Sequence, residues 1–491
     1  MRHRQRDRAA NFNEEDVLMT KRSRRILPFC LISLMLACAG PGAGPRDPYA
    51  VDETQTQEAR QLFQASPPQT ILSNTHPDAQ WFPKAGLGLF MHWGIHSVAG
   101  IQPSWAMIKN YPAGGDPNFH PPEKYYALAN KFDPRSYDPD KWMAAARKAG
   151  FTYAVLTTKH HDGYALWPSK FGNMSTTQYL GGRDLLKPYV EACRKHGLRV
   201  GFYFSPRDWH YPNYPIDDVD FDYSKRFKFS SIKDPDKNER NFENFYAYTI
   251  AQLRELLTQY GKIDVLWFDG ISWHPFTDMR ARQTLEWVRK LQPGIVINPR
   301  WDEVGDFETP ETELPKGRPP GWWEACHIWP KGHWGYVPSE EFQPLSWVLE
   351  TLVRCRTWGG NLLLNVGPRP DGTMPDPFYQ NSEILARWMI HSGESLIGAD
   401  PTPGDGRSNV PITRRNGVWY LHVLPKHQGP VELRNVPFPR TIRLLRTGQS
   451  LPCKGGQTLV LEIPENTRTA LDDVVAVTWD HEPPTVRQAG N

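Results

Sequence analysis

The 491-residue chain is predicted to be an α/β protein, a (β/α)8-like barrel followed by a C-terminal antiparallel β-sandwich. Three observations predict it. Short apolar runs alternate with amphipathic helical segments between residues 79 and 396, the pattern of parallel strands joined by right-handed crossovers. No glycine-rich phosphate turn follows the first run, which argues against a doubly wound open sheet. From residue 397 onward helical spacing gives way to short β-rich runs divided by Pro, Gly and Asn.

In order, the barrel strands are read at 87–92, 153–157, 199–204, 265–268 and 295–298. Helices are read at 139–149, 184–196, 242–260 and 278–291. In the second of these, Leu185, Val190 and Cys193 fall near the helical period and Gly197 stops the helix. The sandwich strands are read at 418–423, 431–434, 441–445, 458–463 and 474–479.

The amino terminus reads as an export signal. Lys21, Arg22, Arg24 and Arg25 precede an apolar run from Ile26 to Ala37 that is too short to span a bilayer. Cys38 follows a small residue at the end of this run, as in a bacterial lipoprotein box, although Met35 stands where Leu is usual. Residues 1–38 are therefore taken as a signal region, with Met19 as an internal start and Cys38 as a lipid-anchor site. The alternative is ordinary cleavage with Cys38 incidental. Residues 39–78 are read as a tether, and the expected location is periplasmic or outer-membrane-anchored in a bacterium.

Composition excludes some functions. Apolar residues at 39% and charged residues at 23% suit a globular chain with a large core. A net charge of +3 without a basic stripe excludes a nucleic-acid reader. Beyond the signal region, Cys193, Cys326, Cys355 and Cys453 match neither a zinc site nor a disulfide scaffold. The 19 Trp residues either fill the core or offer flat faces on which sugar rings stack.

Chemistry gathers where the strands end, which in a barrel is the active-site face. The strand ends read His92-Trp93-Gly94, then Lys159-His160-His161-Asp162-Gly163, then Tyr203 with Ser205 and Arg207-Asp208-Trp209, then Trp267-Phe268-Asp269-Gly270, then Asn298-Pro299-Arg300-Trp301. Asp269 stands out because a strongly apolar strand holds it and Gly270 frees the backbone to turn away. Its bland reading is a helix cap. A second carboxyl group is sought in the acid-rich loop beyond Arg300, where Glu308, Glu311 and Glu313 compete with the later Glu324. In a retaining glycosidase such a pair sits about 5–5.5 Å apart.

Taken together these motifs resemble the family 29 glycoside hydrolases, the alpha-L-fucosidases. Phe90-Met91-His92-Trp93-Gly94 is similar to the family's first-strand signature, and Thr158 to Tyr164 to its double-His motif. Leu266 to Gly270 resembles the nucleophile strand. Asn298 to Trp301 with Gly305-Asp306-Phe307 and Glu311 resembles the Arg strand and acid/base loop. Gly359 to Pro368 resembles a later barrel motif. The resemblance implies an exo-acting retaining glycosidase releasing terminal alpha-L-fucose from glycans, without cofactor or metal. It implies Asp269 as nucleophile and Glu311 as acid/base. His92, Trp105, His160, His161, Tyr203, Trp267 and Arg300 would bind the sugar.

One departure stands out. Where the family commonly has Glu-Trp, this chain has Ser104-Trp105, which opens a related sugar such as an alpha-L-galactoside. Two rivals remain. One is a metal-dependent hydrolase using His160, His161 and Asp162, disfavoured because neighbouring strand residues point to opposite faces. The other is a non-catalytic glycan-binding protein on the same fold.

Overall fold

The barrel forms because its strands are apolar on both faces, as parallel strands wrapped by helices must be. The computed structural model describes residues 47–66, 68, 73–110, 119–212, 214, 221, 235–270, 280–404 and 406–485. The signal region, with Met19, Cys30 and Cys38, lies outside the described residues. The barrel strands are β1 Leu87–Met91, β2 Tyr153–Lys159, β3 Arg199–Phe204, β4 Val265–Phe268, β5 Val296–Ile297, β6 Phe307–Glu308, β7 Trp322–Ile328 and β8 Asn361–Asn365. They form one parallel sheet in the order β5-β4-β3-β2-β1-β8-β7-β6.

Side chains alternate along each strand. Phe90, Tyr153, Tyr203, Trp267, Phe307, Cys326 and Leu363 fill the barrel. Leu89, Leu156, Phe202, Leu266 and Leu364 face outward into the helical layer. Gly88 leaves room for an interior ring, since a Cβ there would lie 2.2 Å from Tyr153 Cζ.

The five expected strands are present within a residue or two. Three more were not singled out as strands in the sequence. Of these, β6 is two residues long in an acidic stretch, and the apolar run of β7 is interrupted by Glu324. The third, β8, lies inside the Gly359–Pro368 motif. The fold also departs from regular alternation, because no helix joins β5 to β6 or β6 to β7.

The gap in the sheet order between β5 and β6 is bridged by Asp306 rather than by a ladder. The Asp306 amide donates to the Ile297 carbonyl at 2.6 Å. Its carboxylate accepts from the amides of Ile297 at 2.8 Å and Asn74 at 2.7 Å, and from Arg289. Asp306, read from sequence as part of an acid-rich loop, is thus a buried closing element.

The tether reading of residues 39–78 is corrected within the described part. Residues Glu53–Gln64 form a helix capped by Asp52, whose carboxylate accepts from Gln55 N. Ala59 and Phe63, four apart, bury one stripe against the barrel's outer helices. Glu58 accepts from Trp287 Nε1 at 3.0 Å and Arg254 Nε at 2.8 Å. The segment is polar on average, which hid a two-residue apolar contact from a reading of composition.

The C-terminal sandwich pairs a four-stranded with a three-stranded antiparallel sheet. The four-stranded sheet has the order β12-β15-β10-β9, from β9 Ile412–Arg415, β10 Val418–Val423, β12 Thr441–Leu444 and β15 Asp473–Thr478. The three-stranded sheet has β11 Val431–Arg434, β14 Thr458–Leu461 and β13 Cys453–Gly455. Trp419, Leu421, Val431, Leu459 and Val475 lie in its own core. Trp388, on the last barrel-side helix Asp376–Ser392, donates to the Asp472 carbonyl at 2.8 Å. Cys193, Cys326, Cys355 and Cys453 are free thiols.

Asp306→Ala would leave two buried amides and Arg289 without their acceptor. The expected loss is about 3 kcal/mol or more of unfolding free energy, measured in urea. A midpoint equal to that of the unsubstituted chain would show that the ladder closes the barrel without this carboxylate.

Candidate active site

Every site residue expected from the sequence lies on, or just beyond, the carboxyl end of a barrel strand, or on a loop that packs against one. Asp269 follows β4 directly. Asn298 anchors that strand end, accepting from Phe268 N at 2.7 Å and donating to Phe268 O at 2.9 Å. Gly270 then adopts φ +140°, a backbone state that side chains rarely take.

Three groups surround the Asp269 carboxylate. Tyr203 donates its hydroxyl to Oδ2 at 2.9 Å. His161 Nε2 lies 3.7 Å from the same oxygen. Arg300 Nη1 lies 3.5 Å from Oδ1 and donates to Glu311 Oε2 at 2.6 Å. One guanidinium nitrogen therefore holds both acids. The two carboxylates are thereby brought to the same part of the barrel mouth.

Glu311 owes its place to backbone pairing. The β6 strand continues as an isolated parallel bridge from Glu311 to Cys326 of β7. The Thr312 amide donates to Cys326 O at 2.9 Å, and the Cys326 amide donates to Pro310 O at 3.0 Å. Arg300 also donates to Thr309 Oγ1 at 2.9 Å and Thr309 O at 3.1 Å. Among the four competing acids, Glu308 and Glu313 are exposed and have no ion pair to Arg300. Glu324 is fully buried below the pocket, where it accepts from Trp267 Nε1 at 3.0 Å and from Tyr153 OH. Burial pushes its carboxyl up to about 7.

The walls around the two acids are imidazole and aromatic. His92 is buried, and its Nδ1 meets Asn365 Oδ1 at 2.8 Å. The Asn365 amide nitrogen is committed to Trp334 O at 2.7 Å, so its oxygen must accept and His92 Nε2 becomes an acceptor. The Nδ1 side of His161 is fixed as well. Ser205 donates to Arg207 O at 3.1 Å, so its oxygen accepts from His161 Nδ1 at 2.6 Å. Burial holds His92 down to about 4 and His160 well below the usual histidine range, which leaves both neutral at pH 7. His160 stacks on Tyr203 with centroids 5.4 Å apart, and Tyr203 stacks on Trp267 at 5.7 Å. The Arg300 guanidinium sits 4.7 Å above the Trp267 ring. Trp105 packs edge-on against His161 and Trp209.

The His160–His161 pair does converge, contrary to the expectation that neighbouring residues diverge. Both lie past the end of β2, in a turn, with ring centroids 4.2 Å apart. With Asp269 they bring three donor atoms within 4.8 Å of one another. Asp162 is not among them, since it binds Tyr125 OH at 2.7 Å and Ser104. The Arg300 charge, 3.5 Å from Asp269, would repel a metal cation held by this trio.

Ser104 is fully buried and points away from the cavity chemistry. Its Oγ lies 2.6 Å from His160 Nδ1 and accepts from the Asp162 amide at 2.9 Å. Its backbone, at φ 53° and ψ −47°, forms a tight turn closed by Trp105 N donating to Pro103 O at 2.5 Å. This is the rare positive-φ γ-turn. Such strain, of order 1–3 kcal/mol, gathers at functional sites. Sequence reasoning missed Trp334, which packs on Phe90 and His92, and Asn365. The Asn365 signal was present in the Gly359–Pro368 motif, whereas Trp334 sits in a loop with no periodic pattern.

A barrel whose mouth brings two acids together among neutral imidazoles and aromatic rings is built to cleave a bond between uncharged, hydroxyl-rich groups. That is the class of barrel glycoside hydrolases. Residues 51–394 match the Alpha-L-fucosidase family, and the chain belongs to it. The tissue alpha-L-fucosidase of Bos taurus is 29% identical over 367 residues, covering 71% of this chain and 73% of that protein. Alpha-L-fucosidase isoenzyme 1 from Paenibacillus thiaminolyticus has a similar structure, with TM-score 0.71 and 30% identity over 82% of this chain and 98% of that one. The alpha-fucosidase of Thermotoga maritima, solved with a mechanism-based inhibitor, gives TM-score 0.64 and 27% identity over 82% and 97%.

The Glu324 carboxyl holds its proton more tightly folded than unfolded. Its stabilising effect is therefore full below the ordinary Glu value and fades as pH rises toward about 7, a cost of ~3 kcal/mol at higher pH. Glu324→Gln has no such proton to lose. Its unfolding free energy should gain on that of the unsubstituted chain by more at pH 8 than at pH 4. A gap independent of pH would contradict this.

Proposed function

We propose that this chain is an exo-acting, retaining alpha-L-fucosidase that removes terminal alpha-L-fucose, or a closely related sugar, from oligosaccharides and glycoconjugates. The observation that carries the reading is the Arg300 bridge, which brings Asp269 and Glu311 together at the barrel mouth. Asp269 attacks the anomeric carbon while Glu311 protonates the departing oxygen. Water then attacks the glycosyl-enzyme carbon with Glu311 taking its proton, and Asp269 is released. For the first step Glu311 must leave Arg300 and carry a proton, so substrate entry and ion-pair opening are linked.

The neutral acceptor His92 Nε2 suits a sugar hydroxyl, and the rings of Trp267 and Trp334 suit apolar sugar faces. Family membership and the inhibitor-bound Thermotoga maritima relative support covalent chemistry. Ser104 is buried behind His160 and cannot itself meet the sugar, so alpha-L-galactoside belongs in any substrate panel. The non-catalytic alternative is disfavoured because both acids are present and paired.

Asp269→Ala should lower kcat for 4-nitrophenyl alpha-L-fucoside by roughly 10³-fold or more. Turnover near the normal level would reject the nucleophile. Glu311→Ala should recover turnover with azide and yield a fucosyl azide. Rescue at Glu308 instead would move the acid/base role. NMR of the first-formed product should show the alpha anomer.

On sequence grounds we also place the enzyme outside the cytoplasm, tethered by lipid at Cys38. Cys38→Ala should move it from the membrane to the soluble fraction of a bacterial host. An unchanged distribution would remove lipidation.

A further inference from the structure

Of the three candidate acids that the bond-cleaving steps leave without a role, Glu308 and Glu313 are exposed and Glu324 alone is fully buried. It lies in β7, inside the barrel, with no exposed surface. Its two oxygens have different partners. Oε2 accepts from Tyr153 OH, and Oε1 accepts from Trp267 Nε1 at 3.0 Å. A buried carboxylate is costly to keep, so two donors aimed at it indicate a constraint the site uses.

Trp267 is the centre of that constraint. Its ring is flanked by Phe90 at 5.0 Å and stacks on Tyr203 at 5.7 Å, with the Arg300 guanidinium 4.7 Å above it. Tyr203 and Arg300 are the two groups that hold the Asp269 oxygens, and Arg300 holds Glu311 as well. An indole flanked by flat rings can still pivot in its own plane. The hydrogen bond from Nε1 to Glu324 fixes that angle.

We propose that Glu324 is a positioning residue. It orients Trp267, and through that ring it sets Tyr203 and Arg300, and with them the Asp269–Glu311 pair. Glu324 never touches the sugar and does not transfer the proton. The assignment deepens the fucosidase reading and rests on it for its kinetic consequences only. The contacts among Glu324, Trp267 and Arg300 hold whatever the sugar is.

The test compares Glu324→Leu, Glu324→Gln and Glu324→Ala in the full chain. Leu removes the acceptor while filling the space. It should lower kcat for 4-nitrophenyl alpha-L-fucoside 10- to 100-fold with KM within about threefold. Gln keeps one oxygen for Trp267 and should recover most of that loss. Azide should not rescue Glu324→Ala, because no proton donor has been removed. A Glu324→Leu enzyme with unaltered kcat, a KM effect alone, or azide rescue of Glu324→Ala would each overturn the proposal.

A second measurement stands apart from turnover. In ¹⁵N-Trp-labelled protein, the Trp267 indole N–H resonance, assigned with Trp267→Phe, should shift with pH near neutrality and stop shifting in Glu324→Gln. If no fucoside is cleaved by the unsubstituted enzyme, the fucosidase reading fails and this resonance still decides the role of Glu324. A resonance indifferent to both pH and Glu324→Gln would refute it.

Discussion

Two carboxylates that must work on one bond repel each other, and the rest of the site is arranged around that repulsion. Arg300 offsets it with a single nitrogen shared between Asp269 and Glu311. The guanidinium is in turn held from below by the Trp267 face and from the side by Thr309. Because Arg300 follows β5 and Glu311 follows β6, both depend on the short connection between those strands. Asp306 in the same connection closes the barrel. Barrel closure and placement of the acids therefore rest on the same short connection.

The chemistry of the walls follows from burial. Desolvation keeps His92 and His160 neutral, and a fixed partner on the opposite nitrogen of His92 decides which atom accepts. A pocket of charged imidazolium groups would favour phosphate or carboxylate ligands. Neutral rings with assigned acceptors favour hydroxyls, whose geometry they can distinguish. Arg300, Asp269 and Glu311 then form an ionic cluster beside the neutral His92 and His160.

The fold was legible in the sequence to the extent that hydrophobic pattern governs it. Strands β1 to β5 are continuous apolar runs, and Asp269, Arg300 and the double-His turn follow them at the expected places. The two short or interrupted strands were not legible for the same physical reason. Strand β6 is held by pairing with β7 and by Asp306 rather than by its own composition, and Glu324 breaks the apolar run of β7 while its donors come from elsewhere in the barrel. The N-terminal helix escaped notice because only Ala59 and Phe63 of it are buried, in an otherwise polar segment. The choice of Glu311 over Glu308, Glu313 and Glu324 needed three dimensions, since sequence spacing cannot show which acid reaches Arg300.

A resemblance of residue types is not enough to make a site, and the sandwich shows why. Thr413, His422 and Asp472 are joined in series, with His422 Nδ1 2.7 Å from Asp472 and Nε2 2.9 Å from Thr413 Oγ1. The order is that of a nucleophile, a base and an orienting acid. Yet Thr413 donates its hydroxyl to the Ser395 carbonyl at 2.5 Å, and His422 and Thr413 have no exposed surface. The group that would attack is already spent on the barrel side, where Trp388 also holds the Asp472 carbonyl. The network is a polar staple between sandwich and barrel. At the barrel mouth, by contrast, Asp269 and Glu311 keep exposed surface, and that access, more than the identity of the acids, is what separates a reactive constellation from a structural one.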